Sequence, residues 1–416
     1  MKNYVLAGLM FMHLAVFAQH KTGISVPQRF NSRQAMVRPY VILISADGFR
    51  WDLAEKFQAS NLLALRKNGV HAKYLQSAYP SLTFPNHYSI VTGMYPSRHG
   101  IVDNNFFDPK LNRFYASNDT AAVRDASFYG GVPLWTLAEQ QQMLAASYFW
   151  VGSEAPVGGM FQTYYYPFTT AGSIAQRIAG VKAWLQLPPP QRPHLLTFYF
   201  REVDHAAHYY GADSPETGAA VHFVDQAVGD LVRTVDSLKL DVNYIFVSDH
   251  GMTSVLTDRS LGLPSAVDTA QFIVPPGEAL VHLYAKDPKN VQPVYSKLKA
   301  EARHYKVYLA GELPRRWHYA KQDDTYNRIG DIVLVPDHPY IFNLSGKMVT
   351  PGKHGYDPEL RDMRGVFYAW GPAFKTKKRI AGFENIHIYP LIARILGLTI
   401  SQPVDGRIEV LKSILR

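Results

Sequence analysis

Four short apolar runs limit what this chain can fold into: "PYVILISADG" (39–48), "HLLTFYF" (194–200), "VNYIFVSDHG" (242–251) and "GVFYAWG" (365–371). Each has the length of a strand, and a run that stays apolar at consecutive positions suits a strand covered on both faces. Between them lie segments with helical spacing, "ASNLLALRKNG" (59–69), "SIAQRIAGVKAWLQL" (173–187) and "AAVHFVDQAVGDLVRTVDSL" (219–238). Strands alternating with helices predict an α/β fold, a mostly parallel central sheet with helices on both faces. Residues 265–345 read differently: "EALVHLYAKD", "VQPVYSKLKAEARH" and "RIGDIVLVPDH" predict strand, helix and strand between Pro- and Gly-rich breaks. That pattern predicts a small inserted α+β subdomain, after which "PGKHGYDPELRDM" returns the chain to the core. With 416 residues, 47% of them hydrophobic, there is material for one large domain with such an insertion.

The N-terminus stands apart. "MKNYVLAGLMFMHLAVFA" (1–18) has a lysine, an apolar run and small residues before Gln19, the pattern of a signal peptide cleaved after Ala18. The apolar run is short for a bilayer span. Residues 19–38 read as a polar lead-in, and 39–416 as the main domain. The expectation is a periplasmic or secreted protein with no stable membrane anchor. Zero cysteines exclude disulfides, thiolate ligands and a cysteine nucleophile, so any metal site must be built from histidines and carboxylates. The net charge of +9 suits an anionic ligand such as a phosphate ester. Its lysines and arginines are scattered, with "KTKKR" (375–379) the only short run and no basic stripe with interleaved aromatics. Duplex nucleic acid is therefore not an expected partner.

Two acidic residues follow core strands, Asp47 in "ISADGF" and Asp249 in "VSDHGM". In open α/β sheets ligands sit beyond the carboxyl ends of strands, although Asp-Gly and Asp-His-Gly also serve as plain turns. His250 adjoins Asp249. In "REVDHAAHYYG", Asp204 and His208 share one helix face, a chelating spacing, while His205 points away from it and reads as structural or supporting. His354 sits next to Gly355 in "GKHGYDP", where the backbone can pass close to a ligand. Three aspartates and three histidines exceed the four ligands one metal needs. They suit two ions about 3.5–4 Å apart, an arrangement that clamps the attacking and leaving oxygens of a phosphoryl transfer. Thr83, in "PSLTFPNHYSIVTG" (80–93), then becomes a candidate nucleophile. Its hydroxyl needs metal activation, and the helix beginning beside it favours a phosphate.

Taken in order, Asp47, "TFPNHY" from Thr83, "GIVDNNFFDP", Asp204 with His208, "DHGM" from Asp249 and "HGY" from His354 resemble the nucleotide pyrophosphatase/phosphodiesterase family of the alkaline phosphatase superfamily. The resemblance covers the chain from about Tyr40 to Asp405. It implies an alkaline-phosphatase-like fold, two Zn2+ ions and a covalent threonine intermediate. Asp204, His208 and His354 would hold one zinc; Asp47, Asp249 and His250 would hold the other together with Thr83. Asn104 and the Phe84 backbone N–H would donate to phosphoryl oxygens. Phe84, Tyr199 and, from "QTYYYPF", Tyr166 would form an aromatic slot for a nucleobase. Glu154 stands where many relatives have aspartate, with no consequence evident from sequence. Nothing resembles the Lys/Arg pair with which monoesterases of the superfamily hold a dianionic phosphate.

The expected function is an exported zinc phosphodiesterase cleaving nucleotide diesters and pyrophosphates to nucleoside 5′-monophosphates. Within the same chemistry, a glycerophosphodiester or lysophospholipid head-group diesterase is the alternative, and a choline would want an aromatic cage with an acidic residue. A phosphomonoesterase is weakened by the missing cationic pair. A non-catalytic nucleotide-binding module would have no use for an activated hydroxyl.

Overall fold

The computed structural model describes residues 23–416. The expected signal peptide and residues 19–22 lie outside the described residues. Where described, the lead-in is fastened to the body: buried Asn31 donates to the carbonyls of Pro189 and Arg192 and accepts the Leu144 N–H.

The centre is a nine-stranded sheet. In spatial order its strands are Ile24–Ser25, Tyr164–Tyr166, Ala145–Tyr148, Leu195–Phe200, Tyr40–Ala46, Val242–Val247, Phe367–Trp370, Val70–Ala72 and Lys378–Ile380. The four apolar runs are thus four adjacent strands in the middle of the sheet. Ile24–Ser25 and Phe367–Trp370 run against their neighbours, and the remaining pairings are parallel. The strands that the sequence reading did not pick out are short ones toward the edges, where little apolar length marks them.

Tyr40–Ala46 is buried at every position because both faces are covered. Its side chains alternate, as strand geometry requires. Val41 and Leu43 join one core with Ile90, Leu137, Ile392 and Leu396, while Ile42, Ile44 and Ala46 join another with Leu62, Val181, Val228 and Leu231. The first core is roofed by the helices Thr83–Thr92, Leu134–Gln140 and Ile388–Leu396. The second is roofed by Ser60–Asn68, Ile174–Leu185 and Pro215–Asp236. Ile174–Leu185 begins with a capping box, Ser173 reciprocated by Gln176, which fixes where it starts.

Residues 265–345 carry a separate four-stranded antiparallel sheet, Phe272–Ile273, Val281–Ala285, Ile332–Pro336 and Tyr305–Leu309, with the helix Val291–Glu301. Val281, Leu283, Leu298, Ile332 and Leu334 form a hydrophobic cluster of its own.

Candidate active site

Parallel strands deliver their ends to one edge of the sheet, and the candidate residues follow from that. Asp47 comes directly after Tyr40–Ala46, Asp249 and His250 shortly after Val242–Val247, and Asp204 lies in the helix Glu202–Tyr210 that follows Leu195–Phe200. Gly48 lets these segments touch. Its φ is +66°, and a Cβ there would stand 2.9 Å from the Asp204 Cα. The Asp204 N–H donates to the Asp47 carbonyl at 3.0 Å, and the Gly48 N–H to Asp249 Oδ1 at 3.2 Å.

Two groups of donor atoms result, close enough to share an ion within each: Asp47, Asp249 and His250, and Asp204, His250 and His354. His208 belongs with the second group, its Nε2 lying 3.4 Å from Asp204 Oδ1 and 3.1 Å from His354 Nε2. The imidazoles are held in a common way. His208 Nδ1 faces the Gly352 carbonyl at 2.8 Å, His250 Nδ1 the Gly251 carbonyl at 2.8 Å, and His354 Nδ1 the Ser81 carbonyl at 2.9 Å. A carbonyl only accepts, so each Nδ1 carries a proton and each ring turns its Nε2, the nitrogen left to ligate a metal, toward the cleft. The Nε2 atoms of His208 and His354 stand 3.1 Å apart, and that of His250 3.0 Å from Asp249 Oδ2, a clustering of nitrogen and oxygen donor atoms that a cation would tie together. Asp204 Oδ1 is buried with no hydrogen-bond donor, and Asp249 Oδ2 has only the ring nitrogens of His87 and His250 beside it. This donor set of imidazoles and carboxylates fits divalent metal ions of the zinc type.

The electrostatics agree. Burial, and then the charges of Asp249 and Asp204, push the Asp47 carboxyl well above the usual carboxylate range. Burial, and then His250 and His208, hold the His354 imidazole well below its ordinary value. Burial would also raise Asp249, but His250 and His87 hold it low.

Thr83 is the first residue of the helix Thr83–Thr92, directly after the N-cap Leu82. Its Oγ1 lies 3.1 Å from His250 Nε2 and 3.5 Å from Asp47 Oδ1. One turn further along, His87 presents Nδ1 to the Thr83 carbonyl at 3.0 Å and to Asp249 Oδ2 at 3.2 Å, and its Nε2 meets Ser45 Oγ at 2.8 Å. His87 was not among the candidates, although its i+4 spacing from Thr83 was a usable signal. His205 is exposed, pairs with the Tyr209 ring, and joins neither group.

Beside Thr83 a cavity of about 530 Å³ opens, lined among others by Phe84, Tyr199, Phe168, Arg124 and Glu154. Tyr199 has a second task, since its hydroxyl donates to Asp47 Oδ2 at 2.5 Å. The expectation for Tyr166 is corrected. It stacks on Tyr148 with ring centroids 4.4 Å apart and does not line the cavity, whereas Phe168 does. The reason lies in Glu154. Its Oε1 accepts the Phe168 N–H at 2.7 Å and its Oε2 accepts Arg124 at 2.8 Å, turning the chain after Pro167 so that Phe168 reaches the mouth. The Phe84 N–H donates to Asn104 Oδ1 at 3.0 Å, so the two groups expected to hold a phosphoryl oxygen are bonded to each other. This contact orients the Asn104 amide, and the Phe84 N–H has to leave it before serving a ligand.

A profile of the family described as type I phosphodiesterase / nucleotide pyrophosphatase matches residues 41–357. A venom phosphodiesterase of Naja atra is 35% identical over 371 residues, covering 86% of this chain and 44% of its own length. The chain thus spans about half the length of such relatives. A pyrophosphatase/phosphodiesterase of Schizosaccharomyces pombe, itself described as uncharacterized, is 33% identical over 398 residues, 91% of this chain and 81% of that one. Among solved structures, murine ectonucleotide pyrophosphatase/phosphodiesterase 5, including an inactive variant in complex with AMP, superposes with a TM-score of 0.84 at 30% identity. That match covers 91% of this chain and 100% of the murine one. With its fold, its cleft and these likenesses in agreement, the chain belongs to the type I phosphodiesterase / nucleotide pyrophosphatase family.

Proposed function

We propose that this protein is an exported, two-zinc phosphodiesterase that cleaves nucleotide diesters and pyrophosphates to nucleoside 5′-monophosphates, with Thr83 as nucleophile. The observation that carries this reading is the position of the Thr83 hydroxyl, 3.1 Å from His250 Nε2 and 3.5 Å from Asp47 Oδ1. Asp47, Asp249 and His250 would hold one ion and Asp204, His208 and His354 the other. Zinc bound there would lower the pKa of the threonine hydroxyl and neutralise charge on the phosphoryl and leaving oxygens. Thr83 Oγ forms a bond to phosphorus as the ester or anhydride oxygen departs in line; water then takes the place of the threonine oxygen. The nucleoside monophosphate leaves, the hydroxyl is restored, and two displacements give net retention.

The chain's own groups prepare this chemistry. The Thr83–Thr92 helix directs its positive end at the phosphate. The Asn104 Nδ2, oriented by the Phe84 contact, is a ready donor to a phosphoryl oxygen. Tyr199 holds Asp47 in position. Phe84 and Phe168 give the cavity flat apolar walls suited to a nucleobase. A choline head group would need a free carboxylate among aromatics; Glu154, the carboxylate lining this cavity, is already bound to Arg124. Export rests on residues 1–18, and no helix among the described residues is long and apolar enough to cross a membrane. Residues 265–345 act as an inserted subdomain whose Pro276–Leu280 loop borders the cleft beside His208 and His354.

The test compares the p-nitrophenyl ester of thymidine 5′-monophosphate, p-nitrophenyl phosphate and glycerophosphocholine on zinc-reconstituted parent protein and Thr83→Ala. The nucleotide diester should lead by several orders of magnitude, and Thr83→Ala should lose about 10⁴-fold in kcat/KM. Acid quenching during turnover should leave a nucleotidyl adduct on the peptide containing Thr83. Turnover by Thr83→Ala at the parental rate would refute the nucleophile; preference for another substrate would overturn the nucleotide assignment alone.

A further inference from the structure

At the sheet edge formed by Lys378–Ile380, three strands set one side chain each in a row. Tyr368 pairs in register with His71, and His71 with Arg379, so all three leave the same face at neighbouring positions. They line a cavity of about 250 Å³. Lys73, two residues beyond His71, lines it as well, and Arg66 and Arg361 close in from the flanks. Trp51 and Tyr74 supply aromatic walls, with the Arg361 guanidinium 4.4 Å over the Trp51 ring.

Cations on a basic protein usually spread apart over a convex surface; here they converge on a hollow and repel one another. Glu55 is the one carboxylate lining the cavity, and it is occupied by Arg66 at 2.7 Å. Among the described residues Lys73, Arg361 and Arg379 have no ion-pair partner. The field is felt locally: burial first, then Arg66 and Arg379, hold His71 below its ordinary value. Guanidinium and ammonium donors meeting in an aromatic-walled hollow match a doubly charged phosphate carried on a small body.

We infer that this cavity is a second anion site, separate from the Thr83 cleft, for a phosphate monoester dianion. Neither Thr83 nor any residue of the two metal-binding groups lines it. Its walls nonetheless adjoin the cleft's supports. Trp51 lies on the loop that begins at Asp47, and its N–H donates to the Arg364 carbonyl at 3.0 Å. On the other side of that strap, the Gly251 N–H donates to the Met363 carbonyl at 3.0 Å.

The test is calorimetric titration of the zinc-loaded full chain with AMP and, separately, with inorganic phosphate. The expected result is a class of site that binds either probe and weakens about tenfold in Arg361→Ala/Arg379→Ala. Diester turnover at low product concentration should be unchanged in that variant. Equal affinity for both probes would mean that the phosphate alone is recognised; tighter AMP would mean that the aromatic walls read the body. Glu55→Gln should tighten the site about threefold by freeing Arg66, a gain that damage to the fold does not imitate. A single class of site unaffected by these exposed substitutions would overturn the inference. Because the readout is binding at Arg361 and Arg379, the outcome is separable from the identity of the cleft's substrate.

Discussion

Asp225 and Asp249 are both buried, at 4% and 1% exposure, yet their surroundings differ in kind. Asp225 accepts the Leu62 N–H at 2.7 Å, the Asn61 N–H at 3.2 Å and the Asn61 side-chain amide at 2.9 Å. It thereby caps the helix Ser60–Asn68 from the neighbouring long helix, a service that Ala59 at the N-cap lacks the side chain to give. Arg328 likewise donates to Asp108 at 2.7 Å and to the Gly100 carbonyl at 2.9 Å. Structural histidines follow the same rule, since His99 meets Ser89 Oγ at 2.9 Å through one nitrogen and the Ile101 N–H at 3.2 Å through the other. In the cleft, Asp47, Asp204 and Asp249 face one another and the Nε2 edges of His208, His250 and His354. Buried charge that serves the fold is satisfied from within the chain; buried charge that serves a ligand is left for that ligand.

The largest effect that tests this contrast is Asp47→Asn, because burial and the charges of Asp249 and Asp204 bear on that carboxyl. It should cut kcat/KM about a thousandfold or more, while the metal-free protein melts no lower than the parent, because a mutual repulsion has been removed. A stability loss as large as that of an Asp225 substitution would erase the distinction. Asp225→Ala should do the opposite, costing about 3 kcal/mol by leaving two backbone N–H groups without an acceptor. Denaturant titration measures that cost, and turnover per folded molecule should stay within about twofold of the parent.

A smaller effect concerns pH. Burial lowers the His99 pKa to about 3. The unfolded chain, with a histidine near about 6.5, therefore binds the proton more readily over that interval. His99 contributes its full stability above about pH 6.5 and loses about 1.4 kcal/mol per unit as the pH falls below that value. Denaturation midpoints at descending pH should show this slope in the parent and a shallower one in His99→Gln. An equal slope in both would mean that His99 is not the group being charged.

Much of the cleft was legible because its signals are local. Asp47, Asp249 and His250 each follow an apolar strand, Asp204 and His208 share a helical face, and Thr83 precedes a helix. The central sheet was legible for the same reason, since its four middle strands are unbroken apolar runs. What sequence could not provide depends on contacts between distant segments. Phe168 rather than Tyr166 faces the cavity because Glu154, 14 residues away, takes its N–H. The Phe84–Asn104 bond spans 20 residues, and Asp225 caps a helix from 163 residues away. No periodicity or motif encodes such pairings.

The most direct measurement is the zinc stoichiometry of the full chain by equilibrium dialysis and elemental analysis, with Thr83→Ala and His208→Ala/His354→Ala alongside. The parent and Thr83→Ala should each retain two zinc ions, and the double variant one. One ion or none in the parent, with the fold intact, would contradict the account of the cleft as a place where buried charge waits for two cations.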